Sequence, residues 1–170
     1  RNLNYNTRRL NNFDTNIIAS KLKSAGELID SWTDLQVNEV LTLDGKHGAI
    51  NSLISFNDEL YTIQDKAFAF ISVNPRVQVQ GADGLQIQLG TGSVLDRYQY
   101  VSTDSGTLNK WSVVSTSQGV YYFDLLNKSY MIFRSQINGL SDIKYMHSYF
   151  NNNISLEGLK IDNPLIKQGI

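Results

Sequence analysis

The sequence predicts an all-β fold built from short antiparallel meanders, and three observations carry that prediction. Residues 52–71 are echoed at 112–133: Ser52 by Ser112, Leu60 and Tyr61 by Val120 and Tyr121, and, after a two-residue insertion, Ala67 and Phe68 by Ser129 and Tyr130. The offset, 112 − 52 = 60 residues, makes a modular chain the first architecture to consider. Between the echoes, residues 76–89 alternate apolar and polar side chains more cleanly than any other stretch. Polarity comes from 17 Asn and 17 Ser rather than from charge, which stands at 18% of residues. Those short polar side chains favour turns over long helices.

In chain order, residues 1–16 are rich in Asn and Arg and read as an arm. Residues 17–31 offer a short helix at most, with Ile17, Ile18 and Leu22 in weak helical spacing and Gly26 interrupting it. Alternation at 37–43 predicts a strand, and Asp44-Gly45 a turn. Strands follow at 50–56, 59–64 and 67–73, joined by tight turns at Asn57-Asp58 and Asp65-Lys66. This is a three-stranded meander, and 37–43 is the candidate fourth strand. Pro75 stops it.

The next segment is the strongest hairpin signal. Val77, Val79, Leu85, Ile87 and Leu89 fall on one face, Gln78, Gln80, Gln86 and Gln88 on the other, around a turn at 81–84. It is long enough to project from its surroundings, and its apolar face then needs a partner. A strand at 94–101 and a turn at 104–106 lead into the echo, with strands near 111–116, 119–124 and 129–134. Residues 141–150 read as a short helix with Ser141 as N-cap and Ile143, Met146 and Phe150 near one face. The last stretch has no firm pattern. Meanders at this spacing suit β-propeller blades best, with a sandwich or barrel as the structural alternative.

Composition excludes several function classes. A formal net charge of −1 makes a poor grip on nucleic-acid backbone and lacks the polybasic signal of a membrane-surface protein. The chain has no cysteine, hence no disulfide, thiolate metal site or cysteine nucleophile. No apolar run approaches the length of a membrane-spanning helix. The first residue is Arg1 and the last eight do not resemble a natural stop, so a piece of a larger architecture is expected.

Motifs with chemistry are sparse. His47 lies in a turn, His147 between aromatics, and no zinc-binding histidine spacing exists. Gly90-Thr91-Gly92 lacks the rest of a phosphate loop, and its glycines suit a sharp turn. The carboxylates Asp58, Glu59, Asp65, Asp96, Asp104 and Asp124 are scattered, and nothing in their spacing selects a hydrolytic pair. Asp96 and Arg97 read as a structural ion pair or an interchain contact. Trp111 reads as core, and Trp32 as its counterpart one repeat earlier. The tyrosines at 98–100, 121–122 and 145–149 could form a carbohydrate platform, though in strands tyrosine more often packs half-buried. Asn127 and Asn153 head N-x-S glycosylation triplets, a cheap match in this composition. No catalytic residue, cofactor or metal is expected.

Several of these stretches carry a family resemblance. Residues 30–38, Phe56-Asn57-Asp58-Glu59-Leu60-Tyr61, 74–77, 89–97, Lys110-Trp111-Ser112 and 119–124 together resemble the muzzle or nozzle proteins of crAss-like, short-tailed bacteriophages, over roughly residues 30–150. The resemblance implies a non-enzymatic structural subunit of the virion tail, forming part of the distal conduit for genome and cargo. It implies as partners other segments or copies of the same tail protein, portal-proximal ring and tail proteins, and DNA in non-specific transit. A carbohydrate- or receptor-binding β module is the alternative function.

On this reading residues 1–31 are an arm and short helix. Residues 32–150 are two blade-like meanders with the inserted hairpin 76–89, and 151–170 continue into, or pack on, the rest of the assembly. The interface candidates are Arg76, Val77, Val79, Leu85, Ile87, Leu89, Asp96 and Arg97. Two blades cannot close a propeller, which needs about four or more.

Overall fold

A computed structural model describes residues 13–21, 30–74, 77–80, 86–89 and 93–154. These residues are mostly β. The strands are β1 (Asn16–Ile18), β2 (Val40–Thr42), β3 (Ile50–Phe56), β4 (Glu59–Gln64), β5 (Phe68–Val73), β6 (Val77–Gln80), β7 (Gln86–Leu89), β8 (Leu95–Ser102), β9 (Val114–Thr116), β10 (Gly119–Asp124), β11 (Ser129–Phe133) and β12 (Ile137–Gly139). Two short helices close the described chain, α1 (Leu140–Ile143) and α2 (His147–Asn153).

Two four-stranded antiparallel sheets dominate: sheet 1 in the order β3-β4-β5-β8 and sheet 2 in the order β9-β10-β11-β12. Their turns show why the chain folds back so tightly. Asn57 and Asp58 link β3 to β4 with φ of 51° and 61°. Two successive left-handed residues match the right-handed twist of the strands they join, and short polar side chains tolerate that region best. Between β10 and β11 the Asp124 carboxylate accepts the Leu126 and Asn127 amides, both at 3.0 Å, and Lys128 takes φ 49°.

The sheets pack face to face. Ile54, Phe56, Tyr61, Ile63 and Phe68 of sheet 1 meet Val120, Tyr122 and Phe133 of sheet 2 in one apolar cluster. Phe68 is at its centre, with ring centroids 4.8 Å from Phe133, 5.6 Å from Tyr61 and 5.8 Å from Tyr122. Burying each such side chain contributes about 1.5–3 kcal/mol. The opposite face of sheet 1 is covered as well. Ile17, Leu43, Ala69, Ile71 and Leu95 form a second cluster there, with the small β1–β2 sheet as its lid. Sheet 1 is thus buried on both faces, which explains why β5 reads as a near-continuous apolar run and why Thr62 and Gln64 of β4 are buried beside Tyr61 and Ile63.

The order of elements corrects two expectations. The fourth strand of sheet 1 is β8, not residues 37–43. Of those, Val37–Glu39 is a 3-10 turn and only β2 is extended, paired with β1. Glu39 is the reason: its buried side chain turns in to accept the Val94 amide at 2.6 Å, which a strand through 37–43 would not permit. The hairpin β6–β7 is therefore inserted between the third and fourth strands of one sheet rather than between two meanders. Its register pairs Val77 with Leu89, Gln78 with Gln88, Val79 with Ile87 and Gln80 with Gln86.

Local expectations are also corrected. Residues 16–18 are a strand rather than part of a helix, because their backbone pairs with β2. Ser141 is not an N-cap: it lies inside α1, buried, and its hydroxyl accepts the Tyr130 amide at 2.7 Å, extending the ladder of β11 beyond β12. The single helix at 141–150 is two, broken at Tyr145, whose φ is 56°. Trp111 is not core. It sits in the 3-10 turn Lys110–Ser112, capped by the Asn109 side chain, and is 68% exposed, with the Lys110 ammonium 5.0 Å from its ring. The turn points the indole outward where a longer β9 would have carried it inward. Trp32 is likewise 48% exposed.

Candidate functional site

Two regions of the molecule are built from residues that fold alone does not require: a polar seam joining the sheets, and the outer face of sheet 2.

The seam is the connector from β8 to β9. Residues 105–108 are buried there although only Leu108 is apolar. Every buried polar group must find a partner, and the partners come from both sheets. The Gln64 side chain, fully buried, donates to the Asp44 and Gly48 carbonyls and accepts the Tyr100 hydroxyl at 2.9 Å. The Asp65 carboxylate accepts the Ala49 amide at 3.2 Å and the Asn51 side chain at 2.6 Å. Asn51 also donates to the Thr107 carbonyl at 2.7 Å. From the other side, the Thr107 hydroxyl donates to the Phe123 carbonyl at 2.9 Å, Ser105 bonds the Tyr122 hydroxyl at 2.7 Å, and Asp124 accepts the Gly106 amide at 3.3 Å.

Gly106 passes so close to sheet 1 that a Cβ there would collide with the Gln64 carbonyl oxygen and lie 2.7 Å from the Asp65 carbonyl carbon. The Asp65 and Asp124 carboxylates thus bind backbone amides and amide side chains.

Where the two sheets diverge, a cleft of about 440 Å³ opens between Glu59, Tyr61 and Phe70 on one wall and Phe133 and Ser135 on the other. The Tyr61 hydroxyl donates to the Glu59 carboxylate. Burial pushes the Tyr61 phenol up to about 12, assisted by that hydrogen bond and the carboxylate's charge. Burial raises Tyr122 further and Tyr100 as well. A raised phenol pKa means that the neutral form is favoured in the fold. The associated stability is fully present below the unfolded phenol's pKa near 10 and is lost as pH rises through the folded value. Tyrosinate absorbance followed with pH should therefore show Tyr61 and Tyr122 titrating last, together with unfolding. Tyr61→Phe should remove one of these late components.

The outer face of sheet 2 carries Val114, Tyr121, Phe123, Tyr130 and Ile132, joined by the registers Tyr121↔Val114, Tyr121↔Ile132 and Phe123↔Tyr130. Phe150 of α2 packs on Phe123 at 5.5 Å, and Tyr149 stands beside Phe150 at 5.6 Å. Val114 and Tyr149 remain 50% and 60% exposed.

Other predicted positions fall as follows. Asp96 and Arg97 are adjacent on β8, exposed, with N···O 3.8 Å, a solvated contact worth little. They need no burial-driven partner. Arg76, Leu85 and Gly90-Thr91-Gly92 lie outside the described residues, and Val77, Val79, Ile87 and Leu89 are described as backbone. The structure brings none of the hairpin residues together with Asp96 or Arg97 in a described contact. The His47 ring lies 4.7 Å from that of Tyr100, tilted by 58°, and His147 lies 3.5 Å from Asp142. The Asn127 side-chain nitrogen is engaged by the Asp104 carbonyl and Asp124. Among the described residues no group of three or more His, Asp or Glu is placed to hold a metal ion, and no helix is long and apolar enough to cross a membrane.

The family model of the Crassvirus muzzle protein matches residues 1–167. The chain belongs to the crassvirus muzzle protein family. The muzzle protein of Bacteroides phage crAss001 is 35% identical over 142 residues, 84% of this chain and 10% of that protein. The chain thus spans about a tenth of the length of the curated relative it matches.

The muzzle-family chain carries one feature that sequence reading missed, the polar seam. Its signal was available: Gln64 and Asp124 stand at equivalent positions of the echo, 124 − 64 = 60 residues apart, each at the end of the second strand of its sheet. A buried polar residue repeated at the end of a strand marks where a connector is anchored.

Proposed function

We propose that this chain is a structural module of the tail of a crAss-like phage virion, a non-enzymatic part of the distal conduit through which genome and cargo leave the particle. Membership of the muzzle family supports a virion structural role. The observation that carries the module reading is the stack. Two four-stranded antiparallel sheets with matching registers pack face to face in series, which supports reading them as blade-like modules. Near-neutral charge suits a wall past which DNA must slide. The partners on this reading are other segments or copies of the same protein and the portal-proximal ring and tail proteins.

The hairpin β6–β7 is the natural contact to those partners. It forms a two-stranded sheet of its own, and an isolated two-stranded hairpin is marginal in water without further packing. Particles carrying a deletion of residues 76–89 should accumulate as tailless or unstable heads, while sheets 1 and 2 still fold because β5 and β8 pair without it. The direct test is peptide mass spectrometry of isolated tails. Peptides of this chain should co-purify with tails at constant stoichiometry. Their confinement to the soluble fraction of infected cells, or normal tails in the deletion phage, would sink the proposal.

A further inference from the structure

The face of sheet 1 that receives sheet 2 is written again on the far side of sheet 2. Ile54, Tyr61 and Phe70 lie across β3, β4 and β5 in the registers Ile54↔Tyr61 and Tyr61↔Phe70. Val114, Tyr121 and Ile132 repeat that row across β9, β10 and β11. The next row, Ile63↔Phe68, is repeated as Phe123↔Tyr130. These pairs stand 60 residues apart on the first two strands and 62 on the third, for example 121 − 61 = 60 and 132 − 70 = 62. The hydroxyl of Ser115 even donates to the carbonyl of Ser55, its own counterpart, at 3.1 Å, so successive sheets meet through equivalent first strands. The relation is head to tail: each sheet offers one kind of face and covers another kind. Such a contact does not close on itself and calls for a successor.

The equivalent rows differ in cover. Ile54 and Tyr61 are each 7% exposed beneath sheet 2, whereas Val114 is 50% exposed and Tyr121 only half-buried; the third pair runs the other way, with Phe70 half-buried and Ile132 5% exposed, so the open part of the face is its Val114–Tyr121 edge. Phe150 covers the Phe123 end of the face and leaves the Val114 end open.

We propose that this open face docks a further antiparallel β-sheet belonging to the same muzzle polypeptide, outside the residues of this chain; the inference rests on the structural-module reading above. Its chemistry follows from the sheet that occupies the equivalent site. Sheet 2 presents Val120, Tyr122, Met131 and Phe133 to sheet 1, so the incoming sheet presents aliphatic and aromatic side chains on alternating positions. Among the described residues, neither four-stranded sheet of a second copy has such a face to spare. The inner face of its sheet 2 is buried on its sheet 1, and the free side of that sheet 1 is taken by Ile17 and Leu41 of the β1–β2 pair. A relative about ten times as long, by its 10% coverage, has ample chain to supply the missing sheet.

The absence of cysteine in this chain makes thiol footprinting direct. Val114→Cys and, separately, Tyr149→Cys would be introduced into the phage. Intact particles would be treated with a thiol reagent, and each site read by peptide mass spectrometry against Lys66→Cys in the exposed β4–β5 turn. Both face positions should label at least about tenfold more slowly than the turn. Amine cross-links from Lys110 and Lys128 should reach the muzzle polypeptide outside this chain. Labelling as fast as the turn position overturns the proposal. So do cross-links that lead only to another copy of these residues, to residues 155–170, or to an unrelated protein. Finding the chain's peptides in isolated tails while the face labels freely would sink the docking face alone and leave the module reading standing.

Discussion

Phe68→Ala should destabilise the folded chain by about 3–5 kcal/mol, the range for removing a fully buried aromatic side chain and leaving its cavity. Phe68 has no exposed surface and touches three aromatic rings, one from its own sheet and two from sheet 2. The site cannot collapse easily. Tyr122 is tethered through its hydroxyl to Ser105, and Tyr61 through its own to Glu59, so neither ring is free to swing into the void. Urea unfolding followed by tyrosine fluorescence would measure the loss as a shift in midpoint at constant slope. Trp111→Ala is the matched contrast, another aromatic removed within a few residues of sheet 2. Its ring is 68% exposed and in contact with Lys110, and the change should cost well under half of the Phe68→Ala loss. Equal losses from the two variants would mean that the shared core of the sheets is not where the stability lies.

That contrast also shows where the sequence was legible. Alternation and tight-turn residues located nine of the strands at or near their observed places, among them β3, β4, β5, β10 and β11, because period-two burial and left-handed Asn and Asp are local properties of the chain. The echo of Phe68 by Tyr130 was legible too, and it led to the stacked sheets. What failed was decided elsewhere in the molecule. Whether residues 37–43 or 95–102 complete sheet 1 depends on which edge is free, and the buried side chain of Glu39 and the β1 pairing settle that at long range. Trp111 was misread because β9 is short: a single 3-10 turn reverses which way the indole points. The interface set was legible only as pattern. The apolar–apolar and Gln–Gln pairs of the hairpin are in register, whereas Asp96 and Arg97 are an exposed neighbour pair on β8 that no burial explains.

Gly106→Ala should cost about 2–3 kcal/mol, at the upper end of what inserting a single methyl into packed surroundings costs. The clash is with backbone, the Gln64 carbonyl and the Asp65 peptide, which cannot rotate away as a side chain would. Relief requires the connector to lift from sheet 1. That movement would stretch the Thr107 amide bond to the Gln64 carbonyl, now 3.1 Å, and the Asn51 bond to the Thr107 carbonyl. Because Ser105, Gly106 and Thr107 reach sheet 2 through Tyr122, Asp124 and Phe123, the strain falls on the joint between the sheets rather than on either sheet alone. Gly45→Ala is the control: the added methyl would meet only the Thr15 methyl, at 3.8 Å, and should change stability by no more than about 0.5 kcal/mol. Amide hydrogen exchange separates the two ways Gly106→Ala could act. If the seam couples the sheets, protection should fall across the facing strands β4 and β10 together. A loss confined to residues 103–109 would show that the connector merely spans the gap and that apolar contact alone holds the sheets in register.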